Sequence, residues 1–205
     1  QYVKDMPPDQ KEIYYITGEN LSALINSPLL EQLKSNNFEV LLMTDPIDEW
    51  VTQALTEYDG KKLKSAEKGD LDLDKVDEDK KGQYETLFKH IRAKLEDTIK
   101  EVRPSTRLTD SVACLSGNTY DMSGYMEKIL KSAGQQTPDN KRVLELNMTH
   151  PVLEKIQSMF EADKKDARLD EYIHLLLDLA VIGEGGKLED PAKFSKSVGD
   201  LMAGV

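Results

Sequence analysis

Two hydrophobic rhythms alternate along this chain. Short apolar runs rich in β-branched and aromatic residues mark strands at 11–16 (Lys-Glu-Ile-Tyr-Tyr-Ile), ending at Thr17-Gly18, at 38–43 and at 142–147. Between the first two lie helical stretches at 19–26 and 28–35, split at Ser27-Pro28. Ser27 can cap the second stretch, and Pro28 suits a first helical position, where no amide donor is needed. Asp45-Pro46 repeats that start. Ile47, Trp50, Val51, Ala54 and Leu55 follow at the i, i+3, i+4, i+7, i+8 spacing of one helical face. Strand, helix, strand, helix implies a right-handed crossover and a parallel strand pair. Asp59-Gly60 then opens a short hairpin running to about residue 66.

Residues 66–80 change character, with seven acids and little to bury. They read as a solvated linker or helix lead-in; the acid spacing, central glycine and terminal glutamate of a calcium loop are missing. A domain boundary is placed here, giving parts 1–82 and 83–205. Beyond it, Tyr84, Leu87, Phe88, Ile91, Leu95, Ile99 and Val102 line one helical face over about five turns. Pro104 ends that helix or begins a strand, and 107–115 read as strand and turn. A helix follows at 119–133, with Gly134 just past its end, and Thr149-His150-Pro151 opens another. Helices at 168–183 and 191–203 close the chain, the last beginning Asp190-Pro191. The fold class expected is α+β: a small α/β/α subdomain, then a mixed helix–sheet domain ending in a helical bundle.

Two stretches carry more apolar residues than a core requires. In helix 168–183, Leu169, Tyr172, Ile173, Leu176, Leu177, Leu179, Ala180, Val181 and Ile182 cover more than one stripe. A helix apolar nearly all round must be buried nearly all round, which a small domain struggles to do alone. The last helix adds Phe194, Val198, Leu201 and Met202. Pairing with a second copy into a four-helix bundle would bury both; a central helix inside one monomer is the alternative. In helix 119–133, Met122, Tyr125, Met126, Ile129, Leu130 and Ala133 form a narrow stripe. Gly124 lies inside that helix and costs ~1 kcal/mol against alanine. Flexible methionines on a weakly formed helix suit an adaptable binding face; a helix laid on its own sheet is the other reading.

Composition narrows the chemistry. The 205 residues are 39% hydrophobic and 32% charged, with no run near the roughly 18 apolar residues of a membrane span. Lys and Arg number 27 against 38 acids, so 27 − 38 = −11, and nucleic-acid binding is not expected. Cys114 is the single cysteine, which excludes an internal disulfide and suggests a reducing compartment and a buried structural role. Gln1 and the residues after it lack a signal pattern, so the chain reads as a piece of something longer. His90, His150 and His174 sit on three different elements without metal-ligand spacing. Gly183 to Lys187 lacks the spacing of a phosphate loop, and no Gly-x-Ser-x-Gly elbow is present. No catalytic residue, bound cofactor or metal is expected in these residues.

The blocks IYYITGEN, FEVLLMTDPIDEW, RLTDSVACL, MSGYMEKILKSAG, LELNMTHPVLEKI and LLLDLAVIGEGGKLEDPAKFSKSV occur in one order. In that order the chain resembles the heat-shock protein 90 chaperones, most closely their bacterial, high-temperature protein G type. The resemblance covers nearly everything except the acidic stretch. It implies the last α/β part of the middle domain followed by the carboxy-terminal dimerisation domain. The parent would be an ATP-dependent homodimeric chaperone whose nucleotide, magnesium and catalytic arginine lie upstream of Gln1, leaving this segment without enzymatic activity. Dimerisation is implied through Leu169, Tyr172, Ile173, Leu176, Leu177, Ala180, Phe194, Val198, Leu201 and Met202. Client binding is implied for Met122, Tyr125, Met126, Ile129 and Leu130, and for Glu49, Trp50 and Gln53. For Trp50, plain packing on the core stripe stays open.

Met148 stands where the family usually has proline, and Val112 where it often does, which puts only local turns in doubt. The resemblance further implies unfolded or partly folded clients and other chaperones as partners, and a bacterial cytoplasmic setting. The chain end lacks the acidic tail that recruits tetratricopeptide co-chaperones, so these are not expected. A purely structural dimerisation module with no client surface is the alternative function.

Overall fold

The structure, a computed structural model, describes residues 2–71, 73, 76–137 and 140–204. A short helix α1 (Tyr2–Asp5) precedes β1 (Ile13–Thr17). There follow α2 (Leu21–Ile25), a 3-10 turn at Pro28–Leu30, α3 (Glu31–Ser35), β2 (Val40–Met43) and α4 (Asp48–Ala54). A hairpin of β3 (Glu57–Tyr58) and β4 (Lys61–Ser65) completes this first part. β1 lies between β2 and β4 and is parallel to both, with Tyr14 opposite Val40 and Lys64. Paired on both edges, β1 is buried at every position, which is why its residues form an unbroken apolar run. The parallel β1–β2 pair is the one implied by the element order; β4 on the other flank is not visible from that order. In the hairpin, Asp59 and Gly60 take φ of 52° and 72°, the left-handed turn that matches strand twist.

The second part contains α5 (Glu78–Lys94), β5 (Ile99–Pro104), β6 (Ala113–Ser116), α6 (Gly124–Ser132) and β7 (Arg142–Leu146). It ends with α7 (Pro151–Ala162), α8 (Ala167–Gly183) and α9 (Pro191–Ala203). β7 is central, parallel to β5 and antiparallel to β6. Helices α5, α7 and α8 bury Leu87, Ile91, Leu153, Ile156, Leu169 and Ile173 in one core with Leu144 and Leu146 of β7. With two sheets and helices on both parts, the fold is α+β.

Three expectations are corrected here. The helical face read from Tyr84 to Val102 stops at Lys94; Leu95 is the cap, and Ile99 and Val102 belong to β5. Both segments feed the same core, so the apolar spacing runs on through the break. The stretch from 66 is not solvated at its start. Ala66, Glu67 and Leu71 are buried, and the Gly69 amide donates to the Gly117 carbonyl at 2.9 Å. Asp72 and Asp74 lie outside the described residues, and Asp77 caps α5. Finally, α6 begins at Gly124 with Ser123 as its cap, so the glycine opens the helix instead of interrupting it.

The two parts share a wall. Ala113 and Leu115 of β6 face the second core, while Cys114 between them faces the first with Ala66, Leu71 and Leu108. Strand alternation thus makes β6 serve both cores. Burial pushes the Cys114 thiol well above its usual range, consistent with a structural role. At the same joint, one carboxylate oxygen of Glu31 accepts the amides of Thr109, Asp110 and Ser111 at 2.8, 2.9 and 3.1 Å.

Candidate functional surfaces around a central cleft

A cleft of about 1150 Å³ opens between the two parts. Glu49, Thr52 and Gln53 of α4 line one side, Leu63 to Ser65 of β4 its base, and Met122, Ser123 and Met126 the other side. The sequence therefore named four residues that the fold brings to one cavity, Glu49, Gln53, Met122 and Met126, from segments more than sixty positions apart. Tyr120, on the loop beside them, is 99% exposed.

The apolar stripe of α4 does not enter a core. Ile47 is 58% and Trp50 43% exposed, and Val51 and Leu55 are also exposed. The reason is on the opposite side of the helix, where Glu49 is only 3% exposed and occupies the inward face. Its Oε1 accepts the Ser123 hydroxyl at 2.6 Å. A polar pair across the joint thus turns the apolar face of α4 to solvent. Glu49, implied as a client contact, is thus a buried group, and Trp50, for which client contact and core packing both stood open, lies at the surface.

On α6, Met126 is buried, while Tyr125, Ile129 and Leu130, and Met122 just before the helix, are half-buried. The Tyr125 hydroxyl donates to the Thr44 carbonyl at 3.2 Å, tying α6 to the end of β2. Tyr125 lines a second, smaller cavity of about 130 Å³ with Gly18, Lys128 and Glu184, away from Met122. Ile129 and Leu130 line neither cavity.

Sequence reasoning missed the charged cluster under α6. The Arg142 guanidinium lies 2.5 Å from Glu67 and 2.6 Å from Glu184. Glu67 also accepts the Gly124 amide at 2.9 Å. Burial drives the Glu184 carboxyl up to about 7; Arg142 opposes the shift and the neighbouring Glu67 adds to it. Nothing local in the sequence points to this cluster, because its members come from three separate elements.

At the chain end the expected interface divides. Leu169, Ile173, Leu176, Leu177 and Ala180 of α8 are sealed inside the subunit's own core, so they offer no free surface. α8 is apolar nearly all round because one face meets β6 and the others meet α5, α7 and α9. Tyr172 is half-buried, with the Lys155 ammonium 5.0 Å from its ring centre. Leu179 and Ile182 of α8 remain exposed, as do Leu201 and Met202 of α9, the last at 85%. Phe194 and Val198 are half-buried beside them.

A family model described as Hsp90 protein matches residues 1–204. The chain belongs to the Hsp90 family. Proteins named Chaperone protein HtpG resemble this Hsp90 chain along its whole length. The one from Geobacter metallireducens is 43% identical over 98% of the chain and 32% of its own length. That of Frankia casuarinae is 41% identical over 99% and 33%, and that of Nitrosomonas eutropha 42% over 98% and 32%. The chain thus spans about a third of these Hsp90 relatives, which are of the bacterial type. Among its described residues, no helix is long and apolar enough to cross a membrane. No group of three or more His, Cys, Asp or Glu among them is placed to hold a metal ion.

Proposed function

We propose that this chain is the client-holding and self-pairing part of a molecular chaperone. The observation that carries the reading is the outward apolar stripe of α4, with Trp50 at its centre, beside a cleft walled by Met122. Covering exposed apolar surface is favourable at ~25 cal/mol per Å²; methionine adapts to many partners, and tryptophan offers a large apolar area. The names of the relatives point the same way. The net charge of −11 would keep a complex with sticky, partly folded chains in solution.

Self-pairing is assigned to the surface formed by Leu179, Ile182, Phe194, Val198, Leu201 and Met202. Two copies would present two clefts, and a client touching both gains from effective concentration. The reading gives this chain no catalytic step; ATP hydrolysis with magnesium is attributed to the remainder of the parent protein. A reducing bacterial cytoplasm suits the buried free thiol of Cys114. Other chaperones are assigned as further partners, and nucleic acid, membranes and tetratricopeptide co-chaperones are not.

The test is binding of reduced, carboxymethylated α-lactalbumin, a permanently unfolded chain. Trp50→Ser with Met122→Ser is expected to weaken binding about tenfold, the ~1.4 kcal/mol of partly lost apolar contact. Leu21→Ser, at an exposed apolar site away from the cleft, should leave it unchanged. A second reading, a module that only pairs subunits, is favoured by the burial of Met126 and the tether on Tyr125. Equal affinity of the double variant and the parent chain would decide for that reading.

A further inference from the structure

We infer that Glu49 is a positioning residue: through Ser123 it latches the start of α6 to α4 and sets the spacing of the cleft's two walls. The inference rests on the client-holding reading above. Glu49 and Ser123 are 3% and 2% exposed, so neither can meet a client while the latch is closed. The Ser123 oxygen does two jobs, donating its proton to Glu49 and accepting the Met126 amide at 3.0 Å as the helix cap. The next amide, Gly124, donates to Glu67. Two carboxylates of the first part therefore grip successive residues at the positive end of α6, where negative charge is favoured.

The contact candidates bracket this latch. Trp50 follows Glu49 directly, Met122 precedes Ser123 directly, and Met126 lies one turn further on. Releasing the Glu49–Ser123 bond would let the two walls move relative to each other, although no atom that touches a client had changed. A direct contact and a latch make different demands. A contact acts whatever residue 123 is; a latch needs both partners.

The experiment measures affinity for reduced, carboxymethylated α-lactalbumin in Glu49→Ala, Ser123→Ala and the double variant, with Trp50 fluorescence as a local signal. Each alanine variant is expected to bind about fivefold more weakly, roughly the net worth of one ordinary hydrogen bond. The double variant should bind no more weakly than the poorer single one, because both remove the same bond. Glu49→Gln, whose amide oxygen can accept the same hydroxyl, should restore most of the affinity, and Ser123→Thr likewise. Additive losses would show that Glu49 touches the client itself and would overturn the inference. So would unchanged affinity in both alanine variants while Trp50→Ser still weakens binding. Loss of effect in every variant, Trp50→Ser included, would instead sink the client-holding reading. Should the alanine variants not fold, Glu49→Asp shortens the arm by one methylene; weaker binding supports the latch and unchanged binding refutes it.

Discussion

Arg107 is fully buried and charged, which is tolerable only because its surroundings are built for it. Its Nε lies 3.2 Å from Glu145, and its Nη1 donates to the Ala66 carbonyl at 2.6 Å. Glu145 also accepts from Arg103, Ser105 and Ser116. Burial alone would raise the Glu145 carboxyl, but the two guanidiniums and the hydroxyls outweigh it and the pKa falls. Glu184 stands at the other extreme, because it shares the one Arg142 guanidinium with Glu67. Folded, it keeps its proton to about pH 7; unfolded, it loses it near 4.5. Between those values the folded state binds more protons, so its contribution to stability is full below about 4.5 and is lost as the pH rises through 7. Glu184→Gln should therefore lose less stability between pH 5 and pH 8 than the parent chain. Urea midpoints of both chains at the two pH values check this; parallel losses would refute it.

At the scale of elements, three cap-and-proline starts and the ends of α8 and α9 were legible, while the starts of α4 and α6 and the end of α5 were not. Ser27, His150 and Asp190 cap their helices as local chemistry dictates, each followed by proline. The end of α5 was misread because Leu95 and Ile99 continue a helical spacing while the backbone has already turned to join β7. The role of Gly124 was misread for the converse reason. A side chain there would put its Cβ 3.1 Å from Arg142 Nη1, and Arg142 is pinned by Glu67, Glu184 and the Ser116 carbonyl. Gly124→Ala is thus expected to destabilise the fold by about 1–2 kcal/mol, although alanine is the better helix former by ~1 kcal/mol. A denaturation midpoint equal to or above that of the parent would show that Arg142 gives way.

For the whole molecule, the exposed ends of α8 and α9 set the expectation for assembly. The parent chain is expected to sediment as a pair in sedimentation equilibrium, and Leu201→Glu with Met202→Glu should yield single subunits. An unchanged mass would place the interface elsewhere. The parallel pair in the first sheet and the membership of the Hsp90 family were determined by the sequence, because caps, apolar rhythm and motif blocks are local. Which apolar stripe lies inside was decided only by the tertiary structure. Periodicity reports that one face of a helix is greasy, and α4 and α8 both satisfy it. Yet α8 is sealed by β6 and its neighbouring helices, while α4 turns its stripe outward because Glu49 finds Ser123, seventy-four positions away, on its inner face. Burial depends on partners remote along the chain, and those are set when the two parts dock.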